Sequence, residues 1–158
     1  MHKLRLLKIH NLRRKLFLEN HLPRDFEFPS YELRYLHWDG YPLESLPVNF
    51  HAKNLVELSL RDSNIKRAWR GNKVFVPNLE ILTLEGCVSL ELLPRRIYKW
   101  KHLQTLSCNG CSKLERFPEI KGNIRKLRVL DLSGTTTMDL PSSITHLNGL
   151  QTLLLEEC

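Results

Sequence analysis

The chain has 158 residues, a net charge of +7, 42% hydrophobic residues and 26% charged residues. These values are typical of one globular domain or a piece of a larger one, and they exclude a disordered chain, a collagen and a disulfide-rich miniprotein. No apolar run approaches the roughly 18–20 residues of a membrane span. The first nine residues carry charges throughout their apolar stretch, unlike a secretory signal.

The positive charge is unevenly distributed. Residues 1–78 contain 14 Lys and Arg against 8 Asp and Glu, whereas residues 79–158 contain 10 against 9. A basic half makes a nucleic acid or an anionic membrane an alternative partner. The basic residues do not collect on one predictable face, so we expect neither of these partners.

A leucine motif of the form L-x-x-L-x-L-x-x-C, seen in Leu79–Cys87, recurs along the chain. Its first leucine falls at positions 4, 33, 55, 79, 103, 127 and 150, in steps of 29, 22, 24, 24, 24 and 23 residues. Leucine-rich repeats have a period of roughly 20–29 residues. The pattern predicts an α/β-class, right-handed leucine-rich-repeat solenoid of about seven repeats, with a curved parallel sheet on its concave face. Its strands are expected near 4–9, 33–38, 55–60, 79–84, 103–108, 127–132 and 150–155.

The second half of most repeats ends in an apolar residue followed by proline, as at Leu93-Pro94 and Leu140-Pro141. Proline fixes φ and removes a backbone donor. We therefore expect extended segments or short helical turns on the convex face, including turns near 96–100 and 142–147. Residues 11–32 are expected to form an irregular insertion or linker, and the single solenoid to be a fragment of a larger protein.

Four cysteines raise the alternatives of a metal or redox site and a structural role. Cys108 and Cys111 have the C-x-x-C spacing, but Cys87, Cys111 and Cys158 all occupy the last position of the repeat motif. The structural role is favoured, with Cys108 in a leucine position of the core. Four thiols and no N-x-S/T sequon favour a reducing compartment.

Catalytic signatures are absent from the sequence, including the P-loop, H-E-x-x-H and G-x-S-x-G. The seven histidines are scattered without metal spacing. Asp131 and His37 are the one tempting acid–base pair, but four repeats at about 4.8 Å per strand separate them by about 19 Å. We expect no enzyme, no metal and no cofactor.

Strand alternation predicts which side chains reach the open face of the sheet. It places Trp38 in the core, Tyr35 on the open face and Tyr41 in a half-buried turn position. The predicted protein-binding residues are Tyr35, His37, Asp39, Glu57, Ser59, Arg61, Ile81, Thr83, Glu85, Thr105, Ser107, Asn109, Val129, Asp131 and Ser133. Their mixed chemistry suits a protein partner better than a polyanion.

Several strings go beyond a generic leucine repeat. Glu32–Pro47 closely resembles the opening repeats of plant intracellular immune receptors of the TIR nucleotide-binding leucine-rich-repeat type, the group of the tobacco mosaic virus resistance protein. The similarity continues through Asn54–Leu58, Pro77–Glu80, Leu84–Cys87 and Cys111–Leu114. It covers nearly the whole chain.

The resemblance implies a ligand-sensing and autoinhibitory segment of an innate immune receptor. Its implied partners are a pathogen effector or an effector-modified host protein, together with the nucleotide-binding domain of the parent receptor, where ADP would bind. It also implies a cytoplasmic location, with the nucleus as an alternative. A stand-alone leucine-rich-repeat adaptor or decoy is the alternative function.

The sequence departs from the family pattern at one place. Family members normally carry another whole repeat between the segments that correspond to 69–73 and 76–79, whereas here only Val74 and Phe75 separate them. The step from Leu55 to Leu79 is still 24 residues. We therefore expect the loss of a whole unit to leave the ladder of repeats in register.

Overall fold

The computed structural model describes residues 3–10, 22–23, 26–28, 31–48, 50, 53–69, 76–122 and 124–158. The described residues form seven parallel strands in one sheet, each strand lying beside the next one in chain order. The strands are β1 Leu6–Ile9, β2 Tyr35–Trp38, β3 Glu57–Ser59, β4 Ile81–Thr83, β5 Thr105–Ser107, β6 Val129–Asp131 and β7 Thr152–Leu154. Every strand falls inside its predicted segment, and the leucine-rich-repeat solenoid is confirmed. Most of residues 11–32 lie outside the described part.

The register of the sheet is set by one leucine per repeat. Leu36 pairs with Leu58, Leu58 with Leu82, and the series continues through Leu106 and Leu130. Since side chains alternate along a strand, a slip of one residue would turn each leucine from the core to the open face. The register is unbroken between β3 and β4, where the sequence analysis predicts the loss of a family repeat.

The core lies directly behind the sheet. The second and third leucines of each motif are buried completely in the central repeats, as Leu58, Leu60, Leu82 and Leu84 illustrate. Full burial of a leucine side chain contributes about 1.5–3 kcal/mol. Because each repeat buries its leucines against its neighbours, the stack supplies a core that one repeat could not.

A tight turn follows each strand and bonds to the next repeat. The backbone N–H groups of Gly86, Gly110 and Gly134 donate to carbonyl oxygens one repeat further along, at 2.7–2.8 Å. These glycines have φ between +65° and +72°. Glycine suits this turn because L side chains are strained in that conformation.

The cysteine position of the motif serves as a second inter-repeat link. Cys87 Sγ donates to the Leu60 carbonyl oxygen at 2.8 Å, and Cys111 Sγ donates to that of Leu84 at 3.0 Å. Each thiol thus satisfies a carbonyl of the preceding repeat, and the structural interpretation of these two cysteines is confirmed. In the part of the chain that the structure describes, no three His, Cys, Asp or Glu side chains are grouped as metal ligands.

The environment of Tyr41 differs from the prediction. It was expected to be half-buried, but it is fully buried. Its ring packs edge-on against Trp38, with centroids 5.1 Å apart, and the Trp38 ring in turn packs edge-on against Phe26 and Phe28. The phenylalanines come from the segment predicted as an irregular insertion. The repeat pattern does not predict that they pack against the core.

The segments that connect one strand to the next, which we call the returns, lie on the far side of the sheet. They are mostly extended. In the described part of the returns there are two 3₁₀ helices, Ile97–Lys99 and Ser142–His146, at the places predicted for helical turns. Among the described residues, no helix has the length and apolar character needed to cross a membrane.

Replacing Gly134 by alanine should destabilise the fold. An added Cβ would lie 3.3 Å from Cα of Gly110, and a φ of +65° is strained for alanine. Such a conformation costs about 1–2 kcal/mol. Urea unfolding followed by circular dichroism should show that loss, while Ser112→Ala, on an exposed neighbouring turn position, should stay within about 0.5 kcal/mol of wild type. Equal stability of both variants would contradict the role of the turn.

The buried thiols should be inert in the folded protein. Burial raises the pKa of Cys87 to about 12, and a hydrogen bond with the Cys111 thiol, together with burial, raises the pKa of Cys108. Because an unfolded thiol has a pKa of about 8.5, the contribution of these groups is present below that pH and is lost as the pH rises towards 12. Urea midpoints should therefore fall in alkaline buffer.

A thiol-specific reagent tests the same prediction directly at neutral pH. It should modify only the exposed Cys158 in the folded chain and all four cysteines after unfolding. Cys158→Ser is the control, because it should abolish labelling of the folded chain. Rapid native labelling of Cys87 or Cys111 would contradict the buried arrangement.

Candidate protein-binding face

The open face of the sheet consists of three columns of side chains that run across the strands. The first column consists of the first residue of each strand, and the middle column of the third residue. The third column consists of the residue two positions after that third residue. We call the fifteen predicted residues from β2 to β6 the open face. Alternation along the observed strands puts them opposite the buried leucines.

The first column combines aromatic, charged, aliphatic and hydroxyl side chains. It contains Tyr35, Glu57, Ile81, Thr105 and Val129, and Tyr35 is the most prominent because its exposed fraction is 37%. Tyrosine supplies a large contact area with a polar end, and it is enriched at the energetic centres of protein interfaces. Tyr35 and Glu57 are register partners on β2 and β3.

The middle column is recessed. Its members are His37, Ser59, Thr83, Ser107 and Asp131, and the three central side chains are buried, with exposed fractions of 6–7%. Ser133 of the third column is equally buried. These small residues were predicted as contact residues, and little of their surface is accessible to a partner. They form the floor of the open face rather than its projecting surface.

The third column is built from polar side chains that contact the next repeat. Arg61 Nε lies 3.4 Å from Oε2 of Glu85, whose other oxygen accepts a hydrogen bond from Ser107 Oγ at 3.1 Å. Asn109 Nδ2 donates to Asp131 Oδ2 at 3.3 Å. Because each carboxylate already has a partner, the charged side chains are held in place before any ligand arrives.

Two histidine–carboxylate contacts continue this network toward the N-terminal strands. His10 Nδ1 lies 2.7 Å from Oδ2 of Asp39. His37 Nε2 lies 2.9 Å from Oε1 of Glu57, without the alignment of a hydrogen bond. The sequence analysis missed these inter-repeat contacts, although the pairs His10–Asp39 and Arg61–Glu85 occupy the same column in consecutive repeats.

The open face has the opposite charge from the whole chain. Its fifteen residues include the carboxylates of Asp39, Glu57, Glu85 and Asp131 against the single guanidinium of Arg61, a net charge of −3. The chain as a whole carries +7. An acidic face is electrostatically unsuited to a nucleic acid or an anionic membrane and complements a basic or mixed protein surface.

The acid–base pair considered in the sequence analysis, His37 with Asp131, is not brought together on this face. His37 is on β2 and Asp131 follows on β6, with three strands between them. Asp131 instead accepts hydrogen bonds from Asn109 and from the backbone N–H of Ser133. In its place the face offers a broad, preorganised polar surface, which is suited to recognition.

These features define a leucine-rich-repeat solenoid with a largely polar open face. Comparison with known proteins adds the family. The chain is 34% identical over its full length to disease resistance protein RML1A and 35% identical over its full length to disease resistance protein RPS4B, both from Arabidopsis thaliana. It is 50% identical to disease resistance protein RPV1 from Vitis rotundifolia over 44% of the chain. No family model matches the chain.

The chain is therefore homologous along its whole length to the plant TIR-type nucleotide-binding leucine-rich-repeat disease resistance proteins, which confirms the resemblance seen in the sequence. It spans 13% of the length of RML1A and 15% of that of RPS4B. The homology thus concerns the repeat segment and not the remaining parts of those proteins.

The comparisons also bear on the missing repeat. The alignment with RPS4B extends over 184 positions, 26 more than the 158 residues of the chain, and this excess is close to one repeat of 24 residues. The alignment with RML1A extends over only 159 positions. The loss of one repeat stays a prediction, and the continuous β3–β4 register is compatible with it.

Proposed function

We propose that this chain is the ligand-sensing and autoinhibitory repeat segment of an intracellular plant innate immune receptor. The open face binds a pathogen effector, or a host protein that an effector has modified. The homology to disease resistance proteins supports the receptor class. The observation that carries the binding role is the continuous, preorganised open face across β2 to β6.

The chemistry of the open face indicates the kind of contact it makes. Tyr35 and Glu57 project side by side from the first column, and the paired charges of the third column lie along the other edge. A partner with a basic or mixed surface would complement the net charge of −3. Such complementarity acts mainly on the rate of association and on the choice of partner.

Recognition by binding alone is the proposed activity, without catalysis by this segment. The polar side chains of the open face are engaged with one another rather than converging on a reacting atom. The restraint on the receptor would come from contact between the segment and the nucleotide-binding domain of the parent protein. The four free thiols suit the reducing cytoplasm or nucleus, which is where we propose that the segment acts.

Pairwise binding assays with the secreted proteins of a pathogen, and with the host proteins they modify, test this proposal. The test variant is Tyr35→Ala with Glu57→Ala on the open face. The control variant is Val88→Ala with Glu91→Ala, which removes one exposed apolar side chain and one carboxylate from a return.

A genuine partner should bind the wild-type chain and the control variant, and should lose about tenfold or more in affinity for the open-face variant. Circular dichroism should show that all three proteins remain folded, since neither pair contributes to the leucine core. Equal losses for the two variants would contradict the proposal, and so would a screen in which no partner depends on the open face.

A further inference from the structure

A groove of about 720 Å³ lies between two successive returns, away from the open face. One wall comes from the return after β4 and includes Arg95, Arg96 and Tyr98, and the other comes from the return after β5 and includes Arg116 and Lys121. This volume is in the range of sites that bury a small ligand or a few side chains of a peptide. The open-face interpretation leaves this groove without a role.

The groove has an apolar floor that the core holds in place. Leu93, Trp100 and Phe117 line it and are at most 5% exposed. Trp100 is held edge-on against Trp69, with the ring centroids 5.4 Å apart. Leu92 at the rim is 48% exposed, so an incoming apolar side chain would meet a surface that is already formed.

The walls of the groove are strongly basic. Arg95, Arg96, Arg116 and Lys121 are all exposed, and none of the ion pairs found in the described residues involves them. Glu119 is the one acidic residue of the lining, and its Oε2 atom accepts a hydrogen bond from Ser143 at 2.6 Å. Three guanidinium groups therefore remain available for carboxylates, which they can bind in a bidentate manner.

This basic patch ends on its C-terminal side. Residues 91–126 hold nine Lys and Arg against three Glu, a net charge of +6, whereas residues 127–158 hold one Arg against four Asp and Glu, a net charge of −3. The adjoining groove is lined by Glu115, Glu119 and Asp139 and has Met138 at its rim, 89% exposed. The positive surface thus covers about two repeats, which matches a short segment rather than a long polyanion.

The geometry points to a second binding site in this groove, whose ligand is a short acidic peptide segment of a partner protein with an apolar anchor residue. The anchor contacts the floor formed by Leu93, Trp100 and Phe117. Carboxylates on either side of it pair with Arg95 and Arg96 on one wall and with Arg116 and Lys121 on the other. Tyr98 and Trp100 are not exposed rings on which bases could stack, so a nucleic acid fits less well.

This site is independent of the proposed effector contact, because it lies on the returns and has the opposite charge. One partner could therefore occupy the groove while another occupies the open face. The two proposals also fail separately, since substitutions in the groove leave every residue of the open face unchanged.

Fluorescence anisotropy with the whole 158-residue chain tests the inference. The probe is a short labelled peptide in which Glu residues flank a central Leu-Phe pair. Two comparison peptides replace either the Glu residues by Gln or the Leu-Phe pair by Ser-Gly. The test variant is Arg95→Glu with Arg116→Glu, one substitution on each wall. The matched control is Lys3→Glu with Lys53→Glu, which makes the same charge change at exposed positions outside the groove.

The acidic, anchored peptide should bind, and its affinity should fall by about tenfold or more in the groove variant but by less than about twofold in the control. Raising the salt concentration from about 50 to about 300 mM should weaken the binding. Both comparison peptides should bind more weakly than the probe.

Three results would overturn the inference. Equal losses in the groove and control variants would mean that only the bulk charge attracts the peptide. Undiminished binding of the Ser-Gly peptide would remove the role of the apolar floor. A short single-stranded oligonucleotide of equal charge that binds more tightly than the peptide, and displaces it, would assign the groove to a nucleic acid instead.

Discussion

The stacking of one repeat on the next through the backbone is the interaction on which this structure depends. Each short strand donates to and accepts from its neighbours, and the turn after it adds a further main-chain hydrogen bond to the following repeat, as at Gly86 and Gly110. These hydrogen bonds recur once per repeat, so the leucines of each repeat pack against those of the next. The hydrophobic core, the cysteine links and the open face all follow from that repetition.

The two sides of the solenoid carry opposite charge. The open face has a net charge of −3 over its fifteen residues, whereas the returns of residues 91–126 carry +6. Since neither surface depends on the other for its packing, the open face and the basic returns can bind different partners. A leucine-rich repeat permits this separation because only the motif leucines and the turn residues are fixed by the fold.

The repeat pattern predicts the fold closely because the leucine motif recurs seven times. One atypical copy therefore does not obscure the period. The strands of the structure fall within their predicted segments for that reason. Features outside the motif are less predictable. Trp38, which packs against Tyr41, also contacts phenylalanines from a segment without a repeat pattern. Ser59 and Thr83 are buried although strand alternation places them on the open face. The basic groove was missed because charges were summed over halves of the chain, although a count by repeat reveals it.

Hydrogen exchange of individual backbone amides tests the continuity of the stack most directly. The critical amides are Leu60 and Asp62, which donate from the third repeat to the fourth across the point where the loss of a family repeat is predicted. They should be protected as strongly as Leu84 and Gly86, which make the equivalent bonds one repeat later. Rapid exchange at Leu60 and Asp62 alone would show that the solenoid is broken between β3 and β4, and would contradict a single continuous binding face.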